Sequence, residues 1–416
     1  MTHYPPHSEV TGAPHKREDE KNLTKARSTC QTGRPIRVCM IHYRDDAAFG
    51  GGSLRVGETL ARYLDPKRVE VHLVFAYGEP GPVAKSARVP CHFLRANGPT
   101  DLRAWLRARK LIAALRPAIL HYHDAVVWLH AALAAVGVFR IIHIHSYYVP
   151  ARARWYDRLI WSAMAPTADR LVCITRGVAE SMMRIRGVTR EKTTVVYNAI
   201  DCSRFDERAS REEARRALRL PVERSLIGMA CRIVWSKGCA DALRLLEFLS
   251  ETWNLVFVGD GPDRKALESL VRTKGLGERV IFAGACEKMP MAYAAIDGFL
   301  FLSHIEAFGL VLAEAMAAGV PVFGLAVGGQ LREPEYPLIT SENSFLYERT
   351  RDVTTDSGEA SESDLREVAR RIEAYGRSPA DYNETISNAR NWVRSRFDGP
   401  VQAEAMARVY ESVAGR

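Results

Sequence analysis

The sequence predicts an α/β protein made of two doubly wound parallel sheets that face each other across a cleft. Three observations predict it. At 416 residues the chain exceeds one ordinary core, and about 100–200 residues per domain gives two. Short apolar runs alternate with longer amphipathic stretches, the rhythm of a parallel sheet covered on both faces. That rhythm runs once, passes through a polar, arginine-rich stretch over residues 206–219, and starts again.

The first series begins at Ile36, after a polar, proline-containing stretch (residues 1–34) that reads as a disordered tail. Residues 36–42, 69–76, 118–121, 141–145, 170–174 and 194–197 read as strands, and 53–64 and 101–115 as helices. In the second series, residues 225–230, 254–258, 280–282, 298–302 and 320–323 read as strands, with helices around 240–249, 262–274 and 310–318. The domains are therefore expected at 35–205 and 206–395. Within 396–416, Val401, Ala405, Met406, Val409 and Tyr410 recur at helical spacing, so a final amphipathic helix is expected there.

Composition excludes several classes. The longest nearly apolar run, residues 126–139, is interrupted by His130 and is too short for the ~20 residues a membrane helix needs. The first residues lack the apolar segment of a signal peptide, so the expected location is the cytoplasm. Eight scattered cysteines without a Cys-x-x-Cys pair signal neither a zinc site nor a disulfide framework. A net charge of +9 favours an anionic partner: a nucleotide phosphate, an anionic membrane surface or nucleic acid. Charge alone does not choose among them.

Three stretches carry chemistry. Gly50-Gly51-Gly52-Ser53-Leu54-Arg55 follows the first strand and opens the first helix, where glycine lets backbone approach a ligand and the helix N-terminus offers N–H groups to phosphate. It is not a Gly-x-Gly-x-x-Gly fingerprint, and alone it reads equally well as a tight turn. Arg232 and Lys237 lie five residues apart where the first strand of the second series runs out, a pair of cations able to clamp a diphosphate. Glu306 precedes, and Glu314 lies within, a short helix closed by Gly319 and Pro321. At helical rise the two carboxylates are at most about 12 Å apart, which suits two hydroxyl-bearing parts of one nucleotide sugar.

These stretches, with Phe257-Val258-Gly259-Asp260-Gly261-Pro262, Gly319-Val320-Pro321-Val322 and Gly328-Gly329, resemble family 4 retaining glycosyltransferases of the GT-B fold, with two Rossmann-like domains. The resemblance runs from about Ile36 to Ala414. It implies transfer of a sugar from a nucleotide diphosphate donor to a hydroxyl acceptor, with no metal needed for transfer. It implies donor contacts from Gly51, Gly52, Arg232 and Lys237 and from the backbone at Phe308, Gly309 and Leu310. Glu314 would hold the ribose, Glu306 the donor sugar, and His145 would stand near the reacting carbon. The terminal helix would cross back to brace the cleft. Departures are Cys231 in place of the usual glycine, Leu302 in place of proline, and Gln330-Leu331-Arg332-Glu333 in place of the usual Pro-Glu after the glycine pair.

His121, His123, His143 and His145 lie near strand ends in pairs spaced by one, which imitates a metal site. The expectation is nevertheless no metal: the resembled family needs none, and no Asp-x-Asp run is present. The expected partners are the nucleotide sugar and a hydroxyl acceptor, with no nucleic acid. Residues 150–161, including Arg154, Trp155, Tyr156, Arg158 and Leu159, put cations beside apolar groups, as do Arg103, Trp105, Leu106, Arg107, Arg109 and Lys110. Both suggest a lipid-linked acceptor, an anionic membrane surface and a role in surface polysaccharide or glycolipid synthesis. Two rivals stay open: a nucleotide-sugar epimerase or hydrolase of the same fold, and a non-catalytic binding or scaffold protein.

Overall fold

The first sheet has β1 (Ile36–Arg44), β2 (Val69–Tyr77), β3 (Cys91–Phe93), β4 (Ile119–Tyr122), β5 (Phe139–Ile144), β6 (Arg170–Cys173) and β7 (Thr193–Val195), in the order β3-β2-β1-β4-β5-β6-β7. Every pairing in it is parallel. The second has β8 (Ser225–Ala230), β9 (Trp253–Val258), β10 (Val280–Gly284), β11 (Gly298–Phe301), β12 (Val322–Ala326) and β13 (Phe345–Glu348), in the order β10-β9-β8-β11-β12-β13, again parallel throughout. The computed structural model describes residues 33–45, 47–123, 126–148, 155–207, 209–326, 338–348 and 359–415. The expected tail lies almost wholly outside them.

The central strands are buried on both faces, as their unbroken apolar runs require: Val38, Cys39, Met40 and Ile41 in β1 and Leu255, Val256 and Phe257 in β9 are fully enclosed. Strand order reverses between β1 and β4 in one sheet and between β8 and β11 in the other. In such sheets ligands bind beyond the carboxyl ends of the strands at that reversal. The α/β fold with two doubly wound sheets is the one the sequence predicts.

The structure departs from the expected elements in identifiable places. β3 and β13, short edge strands, and the helices Glu362–Arg377 and Asn383–Phe397 were not expected. The polar stretch 206–219 is not a plain linker. Ser210 and Glu213 form a reciprocal cap that starts the helix Arg211–Ala217, and Arg215 is 1% exposed. Its guanidinium donates to the carbonyls of Ala295, Val222 and Arg224 and pairs with Asp297 at 2.7 Å. Arginine reads as surface in composition, but one whose donors are all engaged can sit in a core.

The helix Gly399–Ala414, capped by Asp398, lies against the first sheet rather than the second. Ala403, Met406, Ala407 and Tyr410 join a core with Val38, Met40, Leu54 and Leu60. Arg68 holds Glu411 at 2.8 Å and also pairs with Glu404. The crossing is hydrogen bonded: Ile200 N donates to the Phe397 carbonyl and Gly399 N to the Ile200 carbonyl, both at 2.8 Å.

His130, in the helix Val127–Ala132, is 6% exposed and its Nε2 donates to Thr167 Oγ1 at 2.7 Å, since that hydroxyl spends its own proton on the Met164 carbonyl. The unprotonated Nδ1 is buried without a partner among the described residues. Burial, helped by Arg140, lowers the pKa from 6.5 to about 4. The unfolded chain therefore binds the extra proton first, so the stability held by neutral His130 is complete above pH 6.5 and is lost as pH falls toward about 4. Thermal unfolding followed across that interval should show a falling Tm, and His130→Gln should flatten the fall. An unchanged slope in that variant counts against the assignment.

Candidate active site

Beyond Ala230, the last residue of β8, residues 231–238 form a loop pinned from below. Cys231 N donates to the Val258 carbonyl, Ile233 N to the Asp260 carbonyl and Trp235 N to Asp263 Oδ2. This explains the Gly259-Asp260-Gly261 run. A Cβ at Gly259 would lie 1.9 Å from the Cys231 carbonyl oxygen, and one at Gly261 2.2 Å from that of Ile233. The glycines let two loops pack backbone to backbone and so hold the Arg232 segment. Arg232 itself is exposed, and among the described residues its guanidinium has no hydrogen bond or ion pair.

The loop after β11 docks onto the same segment. His304 N donates to the Ser236 carbonyl at 2.9 Å. The His304 side chain reaches Asp241 Oδ2 at 2.8 Å, and that buried carboxylate also accepts from Ala360 N and Arg244. So anchored, Glu306 meets Lys237: Nζ to Oε2 is 2.7 Å, and both side chains are half-buried. Gly309, left-handed at φ 91°, opens the helix Leu310–Ala317; its carbonyl accepts from Leu312 N and Ala313 N, which leaves the N–H groups of Leu310 and Val311 without a helical partner. One turn on, Glu314 accepts from the Tyr293 hydroxyl at 2.9 Å. Burial raises the Glu314 pKa above the usual carboxylate range, with Arg204, the Tyr293 bond and Arg55 opposing.

The first domain supplies the facing wall. Gly51, at φ 45° and ψ −136°, breaks the helix Ala47–Tyr63. Gly52 then comes so close to the second domain that a Cβ on it would lie 2.6 Å from Leu310 Cδ1. His145, just past β5, is half-exposed, with Nε2 3.3 Å from His123 Nδ1. The first domain thus touches the second at the start of the helix Leu310–Ala317, beyond the strand ends that carry the Lys237–Glu306 pair.

Comparison with known proteins decides the family. Residues 50–204 match Glycosyltransferase Family 4, and residues 210–333 match Glycosyl transferases group 1. The chain belongs to glycosyltransferase family 4. It is 36% identical over 173 residues to D-inositol 3-phosphate glycosyltransferase of Xylanimonas cellulosilytica (39% of this chain, 42% of that one). It is 28% identical over 288 residues to 2-deoxystreptamine N-acetyl-D-glucosaminyltransferase of Streptomyces fradiae (60% and 66%). The chain thus spans less than two thirds of the length of either relative. In structure it resembles HepE of Anabaena in complex with UDP-glucose, with a TM-score of 0.75 at 19% identity over 91% of this chain and all of that one. That likeness is one of fold, the GT-B arrangement.

Among the residues singled out in this family 4 glycosyltransferase, the fold joins Lys237 to Glu306 and Gly52 to Leu310. It leaves Arg232 open. The Phe308 side chain is 3% exposed and meets Phe397 edge-on at 5.4 Å, so only its backbone is available to a ligand. His145 joins a histidine cluster rather than the clamp. Tyr293, His304 and Asp241 were missed. His304 stands in the Ser303–Gly309 run, but its partner lies 63 residues earlier, a pairing no local pattern carries. The altered loop at 328–333 and residues 150–154 lie outside the described residues, as do the side chains of Trp155, Tyr156 and Arg158.

Proposed function

We propose that the protein transfers a sugar from a nucleotide diphosphate sugar to a hydroxyl acceptor with retention of anomeric configuration. The observation that carries this reading is the 2.7 Å Lys237–Glu306 pair, on the same loop as exposed Arg232, which has no partner among the described residues. An entering diphosphate exchanges partners with it. Lys237 and Arg232 take phosphate oxygens, bidentate for the guanidinium, and Glu306 is released to accept sugar hydroxyls. The N–H groups at the start of the helix Leu310–Ala317 add to the anion site.

As the bond from the anomeric carbon to the phosphate oxygen breaks, negative charge grows on the β-phosphate and positive charge on the ring. The cations already stand there, so little reorganisation is needed. In the same-face route the acceptor oxygen bonds to that carbon while its proton passes to the departing phosphate oxygen, which dispenses with an enzymic nucleophile. His145 is assigned to the reacting sugar from the first-domain wall. Side-chain cations neutralise the diphosphate in this reading, so transfer is expected without added magnesium or manganese.

Glu314, with Tyr293, is assigned to the ribose and Glu306 to the sugar. Ribose contacts are the same in ground and transition states, whereas sugar contacts change as the bond breaks. Glu314→Ala should therefore raise the donor KM, and Glu306→Ala should chiefly lower kcat. Steady-state kinetics with UDP-glucose, the ligand in the HepE complex, tests this. Equal effects of both on KM alone would sink the assignment, and donor consumption that ignores the acceptor would favour an epimerase or hydrolase.

The lipid-linked reading of the acceptor, at the cytoplasmic membrane surface in polysaccharide or glycolipid synthesis, rests on the helix Leu102–Leu115. Leu102 and Leu106 are 69% and 58% exposed, a turn apart, beside exposed Arg103 and Lys110. Arg107 and Arg109, however, donate to the carbonyls of Leu94 and Ala132. At about 1 kcal/mol per basic residue this stretch supplies about 2 kcal/mol, half of what four free cations would give. No helix of the described residues is long and apolar enough to cross a membrane. Weak, salt-sensitive co-sedimentation with anionic vesicles is expected. The names of the two relatives, one for D-inositol 3-phosphate and one for 2-deoxystreptamine, favour a second reading, a soluble acceptor. No vesicle binding together with good activity on such compounds selects it.

A further inference from the structure

Five histidines gather on one face of the first sheet: His42 in β1, His121 in β4 with His123 just beyond, His143 in β5 and His145 just beyond. Met40 pairs with His121 and His121 with Ile141, so strand alternation turns all five to the face covered by the helices Ala47–Tyr63 and Gly399–Ala414. The transfer reaction uses only His145.

Three of the others are arranged as ligands. His121, His123 and His143 are at most 3% exposed, and each offers a nitrogen within 4.8 Å of the other two. His121 Nδ1 lies 2.7 Å from the Tyr410 hydroxyl, which leaves Nε2 buried without a partner among the described residues. His123 Nδ1 faces His145 Nε2 at 3.3 Å, and again its Nε2 has none. Neither nitrogen of His143 has one. An unsatisfied buried acceptor or donor costs about 1–3 kcal/mol, and each of the three rings carries at least one. A metal-ligating histidine characteristically holds a partner on its other nitrogen, as His121 and His123 both do.

We infer that His121, His123 and His143 form a buried site for one divalent transition-metal ion of the zinc class. Three imidazole nitrogens and no carboxylate suit zinc, cobalt or nickel and disfavour magnesium and calcium, which take oxygen ligands. Zinc–nitrogen bonds of about 2.0–2.1 Å at tetrahedral angles put the donors roughly 3.4 Å apart, so the rings close by about an ångström, with water as fourth ligand. Metal on Nε2 of His123 leaves the proton on Nδ1, donated to His145 Nε2, which fixes the tautomer of the imidazole facing the cleft. On His121 it does the same toward Tyr410 and ties β4 to the terminal helix. This proposal sides with the paired spacing of these histidines, which imitates a metal site, against the expectation of no metal that the family resemblance carried.

The test uses the full chain, stripped with a chelator and then titrated with Zn²⁺ and with Co²⁺. One equivalent of zinc by calorimetry and elemental analysis, a visible ligand-field spectrum of four-coordinate Co²⁺, and a higher Tm with zinc are expected. His143→Ala and His121→Ala should lose the cobalt spectrum, and His130→Gln should keep it. The wild-type cobalt spectrum and its displacement by zinc need no variant, so they stand even if a histidine variant fails to fold. No stoichiometric zinc, a six-coordinate cobalt spectrum, or undiminished binding by folded His143→Ala overturns the site and leaves a cluster solvated by buried water.

Discussion

Ending the chain at Asp398 is expected to abolish the folded, active protein. The cut removes the helix Gly399–Ala414, and with it Met406 and Tyr410, both fully enclosed, and Ala403, Ala407, Val409 and Ala414 at 9% exposure or less. Each large apolar side chain contributes about 1.5–3 kcal/mol by burial, and the face of the helix Ala47–Tyr63 that they cover would be exposed in turn. The sum rivals the ~5–15 kcal/mol that holds an ordinary domain together. Arg68 would lose both its carboxylates and His121 its Tyr410 partner. Soluble yield, circular dichroism and thermal unfolding of the protein ending at Asp398 give the answer. A wild-type Tm with full activity would show that the returning helix is dispensable. Removing residues 1–30, by contrast, should cost nothing measurable.

Arg232→Ala is expected to lower kcat by roughly 10²–10³, the loss that follows removal of one preorganised donor from a site of developing negative charge. Its folding stability should stay within about 0.5 kcal/mol of wild type, since an exposed side chain without a partner among the described residues contributes little to folding. That combination separates an electrostatic role from a structural one. Lys237→Ala should lower kcat comparably, but it also strips Glu306 of its partner, so its stability changes as well. Steady-state rates and unfolding curves on the two variants check both statements. A tenfold or smaller effect of Arg232→Ala on kcat, with donor in excess, would remove the guanidinium from the mechanism.

Arg232, Lys237, Glu306 and Glu314 could be singled out because they sit at fixed offsets from strand ends and from a helix bounded by glycine and proline, signals that are local in the chain. The positions that hold them were not. Asp241 steadies the Glu306 loop through His304 across 63 residues, Tyr293 reaches Glu314 from another helix, and Gly259 and Gly261 serve as packing points beneath the Arg232 segment. These are contacts between elements whose mutual placement depends on strand order, which periodicity does not encode. Arg215 makes the same point from composition: its residue type says surface, and only the carbonyls of Val222, Arg224 and Ala295 brought around it make burial possible.

By itself the sequence determined that two parallel sheets would form and which residue types stand at their carboxyl ends. Alternating apolar periodicity is a property of each segment taken alone, and burial follows from it. Only the tertiary structure decided that Lys237 would pair with Glu306, that Gly52 would touch Leu310 from the opposite domain, and that three buried histidines would converge under the terminal helix. Those are distances between groups far apart along the chain. They are set by how sheets twist, in what order strands lie, and which helix covers which face.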